Sequence, residues 1–146
     1  MTRYVKAFSW TKTIDKFVKQ IVKEKPILNV CSGNTYFGDV QIEKYYFIKD
    51  WFGCNGTKIK GDIEYLPFKD NSFGCVFTDP PWDVSMKQII ARALPEMLRV
   101  APIVYCMSPW IWGSSKAELK ECWVRQFPGI NNAIIIAKYK TKVKCQ

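Results

Sequence analysis

Seven short apolar segments recur along the chain, each bounded by glycine, proline, asparagine or charged residues. Short runs rich in Val, Ile, Phe and Tyr are typical of β-strands, and those without polar alternation are typical of strands buried on both faces. We therefore predict seven strands. They cover 27–33, 39–43, 57–63, 75–79, 102–108, 122–127 and 133–143.

Helical periodicity appears between these segments. Residues 12–24 repeat apolar side chains at helical spacing, and 86–99 form a second such pattern, in which Pro95 kinks the helix or starts a new turn. Another helix is predicted within 44–56, and the capping box at 115–118 predicts the start of a short helix. Strands that alternate with helices predict an α/β protein with a wound sheet.

Length and charge define one domain with two basic ends. The 146 residues, 48% hydrophobic and 24% charged, suit a single globular domain. We assign a basic N-terminal helix to 1–25 and the core to 26–146, which leaves no separate target-recognition domain in 1–146. The net charge of +9 divides into +5 in 1–25 and +4 in 138–146, with 26–137 balanced. A polyanionic partner explains this distribution, and solubility alone is the alternative.

Cysteine and histidine usage narrows the chemistry. The six cysteines form no C-x-x-C pair and histidine is absent, which argues against a zinc site and removes the usual serine or cysteine triad. No apolar run approaches the roughly 20 residues that span a bilayer, and the first 30 residues lack the apolar centre of a signal peptide. We therefore expect a cytoplasmic protein with free thiols and no membrane partner.

The chemically distinctive residues fall where the predicted strands end. In wound sheets, ligands bind in the crevice outside the carboxyl ends of the strands. Five successive predicted strands end in such residues, which makes a shared site the simplest explanation. They are Cys31-Ser32-Gly33, Glu43, Asp62-Ile63, Asp79-Pro80-Pro81-Trp82 and Ser108-Pro109-Trp110.

Three of these stretches carry a family resemblance. The segments "NVCSGNTYFGD", "GDIEYLPFKDNSF" and "TDPPW" resemble class I S-adenosylmethionine-dependent methyltransferases, in the branch that methylates amino groups of nucleobases. The resemblance covers about 27–140, and "DPPW" is its most specific part. It implies a Rossmann-like methyltransferase domain with a mostly parallel seven-stranded sheet, an antiparallel C-terminal strand and S-adenosylmethionine as cofactor.

The resemblance assigns a cofactor-binding role to the first strand ends. Gly33 allows close approach of the backbone to a ligand. Glu43 can accept hydrogen bonds from ribose hydroxyls, and Asp62 can accept one from the adenine amino group while Ile63 supplies an apolar face. The alternative for Gly33 is a plain turn glycine. For Glu43 it is a surface glutamate, and for Asp62 a turn aspartate. The full predicted set is Cys31, Ser32, Gly33, Glu43, Asp62, Ile63 and Asp79.

The segment Asp79-Pro80-Pro81-Trp82 suits chemistry at an exocyclic amino group. The lone pair of such a group is delocalised into the ring, so two hydrogen-bond acceptors that draw its N–H bonds free it for attack. The Asp79 carboxylate and the Pro80 carbonyl are acceptors, and the two prolines fix the loop in advance. Trp82 can stack on the target base, worth about 1–3 kcal/mol. We predict these four residues as catalytic, with a structural Pro-Pro turn as the alternative.

The sequence also suggests roles for other aromatic and basic residues, some of which have two interpretations. Trp110 and Trp112 either wall the base pocket as substrate-binding residues or cap the core. Trp10 and Tyr4 are expected to fold over the cofactor. The alternating lysines of the last strand either follow a phosphate backbone or protect a sheet edge from aggregation. These lysines are Lys138, Lys140, Lys142 and Lys144.

Besides the absence of a separate target-recognition domain, the sequence departs from the family pattern at two places, of which only the first bears on function. About nine residues separate Gly33 from Glu43, so the helix after the first strand is absent or reduced, and Gly74 replaces an acid. We predict methyl transfer to an exocyclic amino group of a nucleobase, with adenine N6 in DNA favoured. The alternatives are an RNA or protein-glutamine methyltransferase and a catalytically silent subunit that binds S-adenosylmethionine or nucleic acid. Sequence specificity would come from loops, a homodimer mate or a partner protein.

Overall fold

A computed structural model describes residues 10–33, 35, 37–44, 57–130 and 133–143, apart from the side chain of residue 84. The sheet has seven strands in the order β3-β2-β1-β4-β5-β7-β6. Neighbours from β3 to β5 run parallel, whereas β7 runs antiparallel to both β5 and β6. The strands are β1 Ile27–Val30, β2 Val40–Glu43, β3 Thr57–Lys60, β4 Cys75–Thr78, β5 Val104–Ser108, β6 Ala117–Arg125 and β7 Ile134–Thr141. The predicted α/β architecture is confirmed.

Helix α1, Lys12–Ile21, covers one face of the sheet. It begins where the Thr11 hydroxyl accepts a hydrogen bond from the Ile14 N–H, an N-cap that satisfies one of the first unpaired amides. Its apolar stripe packs into one buried cluster with side chains of β1, β4, β5 and β7. The buried residues of this stripe are Ile14, Phe17 and Val18.

Helix α2, Val84–Val100, covers the opposite face. Asp83 is its N-cap and accepts from the Met86 N–H. Pro95 lies inside the helix, which continues to Val100 despite the backbone hydrogen bond that proline removes. Burial of side chains on both sides of Pro95, including Leu94 and Met97, offsets this cost. No helix among the described residues is long and apolar enough to cross a membrane.

The predicted short helix at 115–118 is wrong. Strand β6 occupies this region and pairs with β7 along Ala117–Arg125, about five residues earlier than the predicted sixth strand. The ladder with β7 pairs one side of the β6 backbone, and this non-local pairing outweighs a local capping signal. The helix predicted within 44–56 falls almost entirely outside the described residues.

The position of β7 excludes one of the two interpretations of its lysines. Because β7 lies between β5 and β6, its lysines do not protect a sheet edge. Lys138 is largely buried between Glu24 and Glu121, at 3.7 and 3.4 Å. Lys140 and Lys142 are exposed, and Lys144 falls outside the described residues.

The structure explains the glycine at position 74, where the family pattern has an acid. A Cβ at Gly74 would lie 2.4 Å from the backbone oxygen of Lys25, far inside van der Waals contact. The Gly74 N–H also donates to the Pro26 carbonyl at 2.8 Å. The chain between α1 and β1 therefore packs directly on the backbone before β4.

Candidate active site

The carboxyl ends of the parallel strands surround a cavity of about 420 Å³, within the size range of small-ligand sites. Nine of the predicted site residues line it, so the structure brings together most of the set proposed from the sequence. These nine are Cys31, Ser32, Glu43, Asp62, Ile63, Asp79, Pro80, Pro81 and Trp82. Residues not predicted also contribute, and they are Thr35, Ile42, Lys44, Gly61, Glu64, Met86 and Ile89.

A tight turn after β1 forms one wall of the cavity. Cys31 and Gly33 both adopt left-handed backbone angles, with φ of +55° and +52°. This region is uncommon for a residue other than glycine, and such residues are concentrated at ligand sites. The Ser32 hydroxyl is buried and has no hydrogen-bond partner in the described part of the chain. The turn thus presents an unpaired polar group beside the cavity.

Side chains hold this turn in place of a helix. The Gly33 N–H donates to Glu43 Oε2 at 3.0 Å, and the Asn29 amide donates to Thr35 Oγ1 and to the Phe37 carbonyl, both at 3.0 Å. Among the described residues between β1 and β2 there is no helix, as the short spacing predicted. The turn is therefore fixed by the two neighbouring strands.

Glu43 ends β2 and is almost fully buried, with 5% of its surface exposed. Its Oε1 accepts from the Lys44 N–H at 2.9 Å, while Oε2 binds Gly33. Both carboxylate oxygens are thus acceptors, and the side chain lines the cavity.

Asp62 forms an ion pair that the sequence did not indicate. Its Oδ2 lies 2.5 Å from Lys44 Nζ, and its Oδ1 accepts from the Glu64 N–H at 3.0 Å. The hydrogen bond from Lys44 is the main reason that the pKa of Asp62 is lowered. Asp62 is therefore an ionised acceptor at the cavity. Lys44, which follows β2, pairs with it beyond the carboxyl ends of β2 and β3.

Asp79 follows β4 and has an unusual environment. Burial raises the pKa of this carboxyl from 3.8 to about 7, and the hydrogen bond from the Trp10 indole together with the nearby Trp82 indole offsets only part of that effect. Among the described residues no Lys or Arg forms an ion pair with it. A carboxylate that lacks a cation and lines a cavity is typical of a functional rather than a structural acid.

The aromatic residues divide into two groups. Trp82 lines the cavity and also packs against the cluster on the α1 face. Trp110 and Trp112 do not line it; they pack edge to face, 5.3 Å between ring centroids, on the cluster under α2. This favours the core-capping reading of these two residues. Trp10 contacts Asp79 and does not line the cavity, and Tyr4 falls outside the described residues.

Comparisons with known proteins identify the fold. No protein-family model matches the sequence, and no curated protein is significantly similar to it. Solved structures do match. One from Thermotoga maritima, described as an S-adenosylmethionine-dependent methyltransferase and possible histamine N-methyltransferase, superposes with a TM-score of 0.64 at 14% identity, covering 87% of this chain and 86% of that one.

Two archaeal structures extend this comparison. A candidate RNA methyltransferase of Pyrococcus horikoshii matches with a TM-score of 0.58 at 11% identity, covering 90% of this chain and 81% of that one. A candidate methyltransferase of Haloferax volcanii, solved in complex with the Trm112 methyltransferase activator, matches at 0.62 and 11% identity, covering 92% and 90%. At such low identities the likeness shows the fold alone: this chain has the Rossmann-like fold of S-adenosylmethionine-dependent methyltransferases.

Proposed function

We propose that the protein transfers a methyl group from S-adenosylmethionine to an exocyclic amino group of a nucleobase, with adenine N6 as the first candidate. The observation that carries the proposal is Asp79, a carboxylate without a cationic partner in the described part of the chain. It lines the same cavity as Pro80 and Trp82. A buried acid with a purely structural role is usually paired with a cation.

The residues around the cavity fit the cofactor. Glu43 offers acceptors to ribose hydroxyls, and the ionised Asp62 offers acceptors to an adenine amino group. Ile63 and Ile42 supply apolar surface, and the unpaired Ser32 hydroxyl supplies a polar group at the turn. The bound cofactor would supply a methyl group that its sulfonium has already activated.

Asp79 and Pro80 would hold the substrate amino group. The carboxylate and the prolyl carbonyl accept its two N–H bonds, which turns the nitrogen lone pair towards the reacting methyl carbon. Trp82 would stack on the base. Since a protonated Asp79 can no longer accept through both oxygens, we expect the rate to rise as the pH rises through about 7.

A basic face of α1, which begins two residues after Trp10, supports a nucleic acid as the carrier of the base. Lys12, Lys16 and Lys19 of α1 are exposed and lie within about 60° of one another around the helix, opposite its buried stripe. We call these three residues the α1 lysine face. It begins two residues after Trp10, whose side chain contacts Asp79. Phosphates on either side of the target nucleotide could bind there.

The nucleic acid that carries the base is either DNA or RNA. The "DPPW" sequence favours adenine N6 in DNA, whereas the Pyrococcus horikoshii neighbour favours RNA. A base within a duplex must be flipped out, so a single strand is the easier substrate for either. The activator bound to the Haloferax volcanii neighbour makes a partner subunit a reasonable source of specificity.

Methyl-transfer assays test the proposal. The purified protein is incubated with radiolabelled S-adenosylmethionine and with single-stranded DNA, duplex DNA, transfer RNA or a glutamine-containing peptide. We expect label in nucleic acid and its loss in Asp79→Asn, with cofactor binding by calorimetry retained. Cofactor binding without transfer to any substrate would favour a silent binding subunit, and label only in peptide would favour the protein-glutamine alternative.

A further inference from the structure

Trp10 contacts the proposed acceptor from outside the cavity. Its indole Nε1 donates a hydrogen bond of 2.8 Å to Asp79 Oδ2. The two residues are 69 positions apart, so the bond joins the segment before α1 to the end of β4. No feature of the local sequence around either residue predicts it.

The indole is held by an aromatic cluster. Its ring centroid lies 5.8 Å from that of Phe37 and 5.4 Å from that of Phe77, and those two rings are 5.3 Å apart. Phe37 and Phe77 are both buried, and Phe77 lies in β4, two residues before Asp79. The donor is thus aimed at the carboxylate by packing that does not depend on the carboxylate itself.

Few other groups near Asp79 act on its charge. The thiols of Cys31, from the end of β1, and Cys106, from β5, interact electrostatically with it, and burial raises the pKa of the Cys31 thiol to about 12 and that of Cys106 well above its ordinary value. Both thiols are therefore neutral at physiological pH. Across the cavity, Asp62 is already paired with Lys44. The indoles of Trp10 and Trp82 remain as the groups that favour ionised Asp79.

We propose that Trp10 is a positioning residue that fixes the orientation of the Asp79 carboxylate and favours its charged, accepting form. The catalytic consequence rests on the proposed function, whereas the link between the two residues does not. A hydrogen bond to an ionised acceptor is stronger than one to a neutral group. Removing only the donor should therefore shift the titration of Asp79 without emptying the aromatic cluster.

Trp10→Phe removes the N–H and keeps a ring between Phe37 and Phe77. Carbon-13 NMR titration of the Asp79 carboxyl, assigned with Asp79→Asn, should show its midpoint moving up by about one pH unit in Trp10→Phe. The pH profile of kcat/KM should move in the same direction, with a loss of about fivefold at pH 7 that approaches tenfold at lower pH and diminishes at higher pH. Trp123→Phe is the matched control, because Trp123 packs on Tyr105 away from the cavity.

A measurement on the unaltered protein guards against misfolding of the variant. The Trp10 indole proton should shift as Asp79 titrates, and this response should be missing in Asp79→Asn. An unchanged Asp79 midpoint in folded Trp10→Phe would overturn the inference, even if the protein transfers methyl groups. A shifted midpoint in a protein that transfers no methyl group would leave the Trp10 link standing and reject the proposed function.

Discussion

Asp79→Asn should make the protein more stable while it abolishes methyl transfer. The pKa of Asp79 lies at about 7 in the folded protein against an ordinary 3.8. Folding therefore favours the protonated form, and the unfolded chain binds fewer protons between these two values. The free energy of unfolding should fall as the pH rises from about 4 to about 7 and then stay low. Asparagine is neutral throughout and avoids this loss.

The size of the effect follows from the same two values. Each pKa unit corresponds to about 1.4 kcal/mol, so the ionised carboxylate costs at most roughly 4 kcal/mol above pH 7. Solvent in the cavity reduces this, and we expect a gain of about 2 kcal/mol for Asp79→Asn at pH 8. For a domain of this size that corresponds to about 4–8 °C in Tm. At pH 5 the gain should be clearly smaller.

Urea unfolding at pH 5 and pH 8 measures the difference directly. Glu118→Gln on exposed β6 is the control and should give no pH-dependent gain. A variant at position 79 that is no more stable than the natural protein at pH 8, or that gains equally at both pH values, would refute the view that ionisation of Asp79 costs the folded protein stability. Full methyl transfer by Asp79→Asn would refute its role as acceptor.

Three further substitutions test separate parts of the structure. Glu43→Ala should weaken S-adenosylhomocysteine binding at least tenfold by calorimetry, because it removes buried acceptors worth about 1.5–3 kcal/mol, while Glu118→Ala should leave it unchanged. Replacing the α1 lysine face by glutamine should weaken binding to single-stranded nucleic acid and reduce the salt dependence of log K by about 2, whereas Lys120→Gln on β6 should have little effect. Gly74→Ala should lower the free energy of unfolding by roughly 1–3 kcal/mol, since its Cβ meets backbone, and Gly113→Ala, with open space around it, should not.

The strand-end site could be predicted because parallel strands impose it. Adjacent parallel strands place their carboxyl ends at one edge, so residues that follow successive apolar runs must converge. Glu43, Asp62 and Asp79 lie around one cavity for this reason. The ends of the apolar runs in the sequence are therefore sufficient to predict that these residues surround the cavity.

Contacts between distant segments could not be predicted in the same way. The bond from Trp10 to Asp79 depends on how the segment before α1 crosses the end of β4, which no local pattern encodes. The pairing of Lys44 with Asp62 depends on the register of β2 and β3. At 115–118 the local signal was misleading, because the ladder with β7 outweighed a capping box.

The short connection between β1 and β2 changes which groups can bind the cofactor. A helix N-terminus offers unpaired N–H groups and a positive end of a dipole to an anionic ligand. Here, among the described residues between β1 and β2, side chains of neighbouring strands fix the turn instead, and Glu43 takes up the Gly33 N–H. Under the proposed function Glu43 would have two tasks, closing the turn and binding the cofactor. The affinity for the cofactor should depend on this one carboxylate more strongly than in a relative whose turn is stabilised by a helix.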